Sequence, residues 1–151
     1  MIKSIKYLLL TVVLTALCGC TRNNGDIGDL FGTWRVEEIT ADGEPTELFT
    51  PEKLAYTWAF QSHIIYIQTI KPHDSYDRAR GTWVQDGDIL ALDFNHTDID
   101  GDLNYTPPAE MHLVADGITR LEIKELTNKR IHLEYTAADG IRYAYFLKKA
   151  Y

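Results

Sequence analysis

Five Asp-Gly dipeptides punctuate this chain: Asp42-Gly43, Asp86-Gly87, Asp100-Gly101, Asp116-Gly117 and Asp139-Gly140. Asp and Gly tolerate the positive φ angles of a two-residue hairpin turn, so each pair favours a chain that doubles back on itself. Asn128-Lys129 adds a weaker signal of the same kind. Between these turns lie short runs rich in Tyr, Trp, Ile, Val and Thr, residues that fit a pleated surface. No helix-length amphipathic pattern occurs from Phe31 onward. The runs predict strands at about 32–40, 55–61, 63–70, 79–86, 88–95, 110–115, 118–126, 130–136 and 141–149.

Alternation gives several of these strands an inner face. Leu90, Leu92 and Phe94 share one side, as do Ile131, Leu133 and Tyr135, and Tyr56, Trp58 and Phe60. The run His63–Ile70 is apolar on both sides, and Tyr143 and Tyr145 alternate with Ala144 and Phe146, so their inner faces stay open. Thr46 to Ala55 reads either as an irregular loop or as a short helix capped by Thr50 with Pro51 in its first turn. Eight or nine short antiparallel strands imply an all-β sandwich or barrel. A single antiparallel up-and-down β-barrel of about eight strands is favoured, because closure removes sheet edges and its interior can hold one small ligand.

The N-terminus carries a different kind of signal. Lys3 and Lys6 form a basic head, Tyr7–Leu17 an apolar stretch, and small Gly19 precedes Cys20. That order is a secretory signal, and the stretch is shorter than the roughly 20 residues a membrane span needs. Leu17-Cys18-Gly19-Cys20 resembles the lipobox of bacterial lipoproteins, in which the last Cys is lipidated and becomes the mature N-terminus. Cys18 as acceptor would put Thr15 where Leu is expected. The resemblance implies residues 1–19 as a lipoprotein signal peptide, 20–29 as a flexible polar tether and 30–151 as the barrel domain. It implies an outer membrane lipoprotein, on the periplasmic side or exposed at the cell surface, touching the membrane through its lipid anchor only. Loss of residues 1–19 removes two lysines and no acid, so the formal net charge moves from −7 to −9. An acidic domain without a basic cluster argues against nucleic acid as a partner. With Cys18 removed and Cys20 lipidated, no thiol remains for a disulfide or a thiolate metal site.

Leu30-Phe31-Gly32-Thr33-Trp34 ahead of a strand resembles the Gly-x-Trp start of lipocalins. The whole of about residues 30–150 resembles the lipocalin-like domains of Gram-negative lipoproteins, with a second such motif at Gly81-Thr82-Trp83 and an aromatic, basic last strand at Arg142–Lys149. The resemblance implies that Gly32 and Trp34 close one end of the barrel, and that an Arg from a late strand, Arg120 or Arg142, packs over Trp34. The Asn that often precedes the motif in lipocalins is absent; Asp29 is nearest.

Aromatic rings with polar tips suit an apolar cavity with a few directing hydrogen bonds. Trp58, Phe60, Tyr66, Trp83, Phe94, Tyr135 and Tyr143 are the candidate ligand-binding residues. Alternatively, they fill the barrel. Asp98, Asp100 and Asp102 place carboxylates at alternate positions, but Leu103 and Ala109 depart from a calcium loop, so a solvated turn is the plainer reading. His96 to Glu110, holding Tyr105 and Pro107-Pro108, reads as a lid or as a stiff connection. The five His residues lack zinc spacing, and no acid, base and nucleophile converge. The sequence therefore predicts no cofactor, no metal and no enzyme. It predicts a lipid-anchored envelope protein that binds a small apolar or amphipathic molecule. A protein-contacting accessory subunit or inhibitor with a filled barrel is the alternative.

Overall fold

β1 (Gly32–Ala41) starts at the first Gly-x-Trp motif and runs the length of the molecule. After it come β2 (Glu44–Pro45), β3 (Ala55–Gln61), β4 (Ile64–Ile70), β5 (Tyr76–Asp86), β6 (Ile89–Asp93), β7 (Ile118–Leu126), β8 (Arg130–Thr136) and β9 (Arg142–Lys149). The structure is a computed structural model and describes residues 28–47, 55–71, 76–96, 101 and 103–150. From β3 onward each strand pairs antiparallel with its sequence neighbour, and β1 pairs with both β3 and β9. The sheet is thus a closed eight-strand antiparallel barrel. β2 is a two-residue return on the end of β1 through Asp42 (φ 51°) and Gly43 (φ 88°), the two positive angles that Asp-Gly was expected to supply.

Closure fixes which face of every strand is inside. On β4 the inward residues are Ile65, Ile67 and Thr69; on β9 they are Tyr143, Tyr145 and Leu147. Tyr66 is therefore on the outer wall, half-buried beneath the Arg78 guanidinium 4.9 Å from its ring centroid, and cannot line an interior cavity as expected. On β1 the alternation breaks between Val36 and Glu38, and both Glu37 and Glu38 are exposed while Val36 and Ile39 are buried. A bulge of this kind inserts a residue and resets the face.

The expected strand at 110–115 is absent. Ala109–Met111 is a single 3-10 turn entered from Pro108 and ended by His112 in the left-handed region (φ 52°). Pro107 and Pro108 lack the N–H that a ladder needs, which keeps this stretch out of the sheet. Asp116-Gly117 accordingly precedes β7 in a bend and joins no two strands. Cys20, Asp98, Asp100, Asp102 and the Thr50-Pro51 cap lie outside the described residues.

Two glycines act for different reasons. Gly32 has φ +111°, and a Cβ there would meet Lys149 Nζ at 2.8 Å. Gly81 needs space: its Cβ would lie 2.8 Å from both the Asp93 carbonyl oxygen and the Phe94 ring. At this closed end Trp34 is fully buried, and its Nε1 donates to the Leu30 carbonyl at 2.6 Å. Lys149 caps the ring, with Nζ 4.1 Å from the Trp34 centroid and a hydrogen bond to the Phe31 carbonyl. Neither Arg120 nor Arg142 takes that place. Both are exposed, and Arg142 pairs with Glu134 on the outer wall, because its strand position faces outward.

Two outcomes follow. Gly81→Ala drives a methyl into backbone and a buried ring, and should cost about 1–3 kcal/mol in urea unfolding. The Arg142 hydrogen bond, aided by Lys124 and His132, holds the Glu134 carboxyl below its usual range against the opposing effect of burial. A depressed native value gives stability that is complete above the ordinary Glu value of about 4.3 and lost as pH falls through the native one. Unfolding free energy should thus decline in acid, and Glu134→Gln should decline less between pH 6 and pH 3.

Candidate functional site

The open end of the barrel carries the β1–β2 and β8–β9 turns, the β4–β5 connection and the long connection 94–117 between β6 and β7. β5 has 11 residues and β6 only 5, and β6 pairs only with Thr82–Asp86. Residues 76–81 of β5 therefore have no strand on that side. The connection fills the gap: the Arg80 N–H donates to the Asn104 carbonyl at 2.8 Å, and the Asn104 side chain accepts from the Thr106 N–H at 2.9 Å.

Further along, the same connection plugs the barrel. Met111 is fully buried. Its sulfur lies 3.4 Å from Trp58 Nε1, and its carbonyl accepts from the Tyr145 hydroxyl at 2.9 Å. Burial pushes the Tyr145 hydroxyl pKa up, so it stays a neutral donor. Below Met111 the rings pack on one another. Trp58 and Tyr145 centroids are 5.6 Å apart, Trp58 and Phe60 6.5 Å, and Phe60 meets Trp83 edge-on at 5.4 Å. Phe94 packs on Gly81. The aromatic-lined cavity expected around Trp58, Phe60 and Phe94 is thus occupied by those rings and by Met111.

Open space remains where the connection crosses the strand ends. A cleft of about 310 Å³ lies between inward Tyr56, Thr69 and Ala79 on the barrel side and Asn104, Thr106, Pro108 and Glu110 on the connection. The Lys71–Asp77 ion pair stands at its rim. One wall offers a ring and methyl groups, the other amide, hydroxyl and carboxylate groups. Burial first, and Glu110 second, raise the Tyr56 hydroxyl pKa. Elsewhere at the mouth His112 stacks on Tyr143 at 4.5 Å, and Tyr143 on Tyr135 at 6.2 Å. Burial also raises the Tyr135 pKa, with Asp139 adding to it. Larger clefts, of about 540 and 640 Å³, lie on the outer wall among Glu37, Arg130 and Lys148. Among the described residues no group of three His, Cys, Asp or Glu could hold a metal ion.

The seven sequence candidates therefore separate. Trp58, Phe60 and Phe94 are core, Tyr66 is outside, Tyr135 and Tyr143 belong to the mouth stack, and Trp83 borders a cleft at the closed end. Sequence reasoning missed Met111, Tyr145 and Tyr56 as organisers of the mouth. Tyr56 shares the period-two face of Trp58 and Phe60, so a signal for it existed. Met111 carried none, because its placement depends on a connection that has no periodicity.

Residues 14–143 match the lipocalin-like domain family. No curated protein matches the sequence significantly. A lipocalin-like protein from Bacteroides uniformis superposes with a TM-score of 0.55 at 17% identity, over 81% of this chain and 99% of that one. An uncharacterized protein from Bacteroides eggerthii gives 0.57 at 17% identity, over 80% and 98%. At that identity the likeness shows the shared fold.

Tyr145→Phe leaves the buried Met111 carbonyl without its donor. A loss of about 1–3 kcal/mol is expected, together with faster amide exchange at Met111 and His112 than in the wild type.

Proposed function

Because the chain belongs to the lipocalin-like domain family, we propose that it binds a small amphipathic molecule non-covalently at the barrel mouth. The observation that carries this reading is the 310 Å³ cleft in which inward Tyr56, Thr69 and Ala79 face the connection 103–110. Its volume is at the lower end of the range for ligand sites, and its walls mix apolar surface with a few polar groups. Burying ligand surface against Tyr56 and Pro108 supplies affinity, while Asn104, Thr106 and the Lys71–Asp77 pair supply direction. The reading includes no bond-making step, since among the described residues no nucleophile and base meet at the cleft. Lipidation at Cys20 and residence on the periplasmic side of the outer membrane complete the proposal, supported by the Leu17-Cys18-Gly19-Cys20 sequence.

The filled interior favours a second reading, an accessory module that contacts another envelope protein through its loops. The two part on ligand content. Native mass spectrometry of the protein from its own host should reveal a co-purifying small molecule, absent from the cleft-blocking Thr106→Trp variant. Equal ligand content in both proteins, or none in either, would sink the mouth site. Intact-mass analysis tests the anchor separately, by the added acyl mass on a chain beginning at Cys20.

A further inference from the structure

The mouth cleft holds two hydroxyls that the fold leaves unused. Tyr56 is 1% exposed and Thr69 7%, and the two sit side by side on the inner wall as Cα partners of β3 and β4. Among the described residues neither hydroxyl has a hydrogen-bond partner, yet neither is sealed from solvent. Both residues line the cleft of about 310 Å³, so their oxygens open on it and a molecule lodged there can reach them. Polar groups on side chains buried this deeply are usually paired, and two adjacent ones without partners call for an explanation.

Charge narrows what that molecule can be. Glu110 lines the same cleft from the connection, and no cation pairs with its carboxylate among the described residues. After burial, its charge is the second cause of the raised Tyr56 pKa, which places the carboxylate near that hydroxyl. Lys71 is the only Lys or Arg among the described residues of the cleft, and Asp77 already engages it at the rim. That ion pair cancels, so one negative charge is left over. A carboxylate ligand would be repelled by it, and an alcohol would leave it uncompensated. A primary ammonium has three N–H donors and no acceptor, and the cleft offers three acceptors in the Tyr56 and Thr69 oxygens and the Glu110 carboxylate. We infer that the mouth cleft takes a small primary amine, whose ammonium donates to Glu110 and to the Tyr56 and Thr69 hydroxyls while its apolar body packs on Ala79 and Pro108. The inference rests on the mouth reading proposed above and names the ligand class of that site.

The test uses the full chain as Cys20→Ser, which carries no lipid of its own, and three probes of one shape: phenethylamine, phenethyl alcohol and phenylacetate. Titration at neutral pH, followed by the backbone amide resonances, should move Tyr56, Thr69 and Glu110 with the amine. The amine should bind roughly tenfold or more tightly than the alcohol, the worth of a charge-assisted hydrogen bond, and the anion most weakly. Glu110→Gln, a change of similar size at an exposed position, should remove the preference for the amine and leave alcohol binding unchanged. Tyr56→Phe keeps the ring and should weaken amine binding. Equal binding of alcohol and amine, or a preference for the amine that survives Glu110→Gln, overturns the inference; if the mouth resonances still move, the mouth reading stands with another ligand class. Mouth resonances that none of the probes move also overturn the inference, while the mouth reading is then decided by the co-purifying molecule and its loss in Thr106→Trp.

Discussion

The pairing of β1 with β9 is the constraint on which the rest depends. It joins Trp34–Ala41 to Tyr143–Lys149, segments about a hundred residues apart in sequence. Closing so long a loop has an entropic cost that local hydrogen bonds alone do not offset. The ring closure is therefore sustained by what it encloses. Once the cylinder is shut, the strands have determined inner faces, and the one long edge among the described residues, 76–81 of β5, is covered by the connection through Asn104. The bulge between Val36 and Glu38 sits within this seam. Without it Ile39 would face solvent and Glu38 the core.

Both ends of the enclosed space are stopped. At one end Trp34, Leu30 and Lys149 interlock through a hydrogen bond to each of the Leu30 and Phe31 carbonyls and a cation over the indole. At the other end Met111 is held by Trp58 and Tyr145. Between them the large rings of Trp58, Tyr145 and Phe60 touch one another, each worth on the order of 2–3 kcal/mol for its burial. Such a core gains stability by leaving no central space. Open space is then displaced to the periphery, where the packing is interrupted.

The interruptions have structural causes. β6 is shorter than β5, so a connection must cover residues 76–81, and a connection packs less evenly than a strand. The mouth cleft lies along that junction. At the closed end Trp83 follows Gly81, which must stay small for Phe94, and the ring edge meets Phe60 while its Nε1 finds no partner among the described residues. Each opening thus follows from a mismatch in strand length or ring size between neighbours.

Much of the fold was legible in the sequence. Asp42-Gly43 and Asp86-Gly87 mark real reversals, and the inner faces of β3, β6 and β8 follow from their alternation. Those signals are local: two φ angles or a two-residue period suffice to read them. The inner faces of β4 and β9 were not legible, because both sides of those strands are apolar, and only closure against neighbouring strands selects Ile65, Ile67, Tyr143 and Tyr145. Nor did any spacing reveal that Lys149, in place of an arginine, would cover Trp34, or that Met111 would fill the mouth. Turn chemistry and hydrophobic period are written along the chain, whereas occupied volume is a property of side chains brought together from distant segments. Hence the sequence alone determined a hairpin-rich barrel, and only the tertiary structure decided that large rings and Met111 fill its interior and that Tyr56 and Trp83 border clefts at opposite ends.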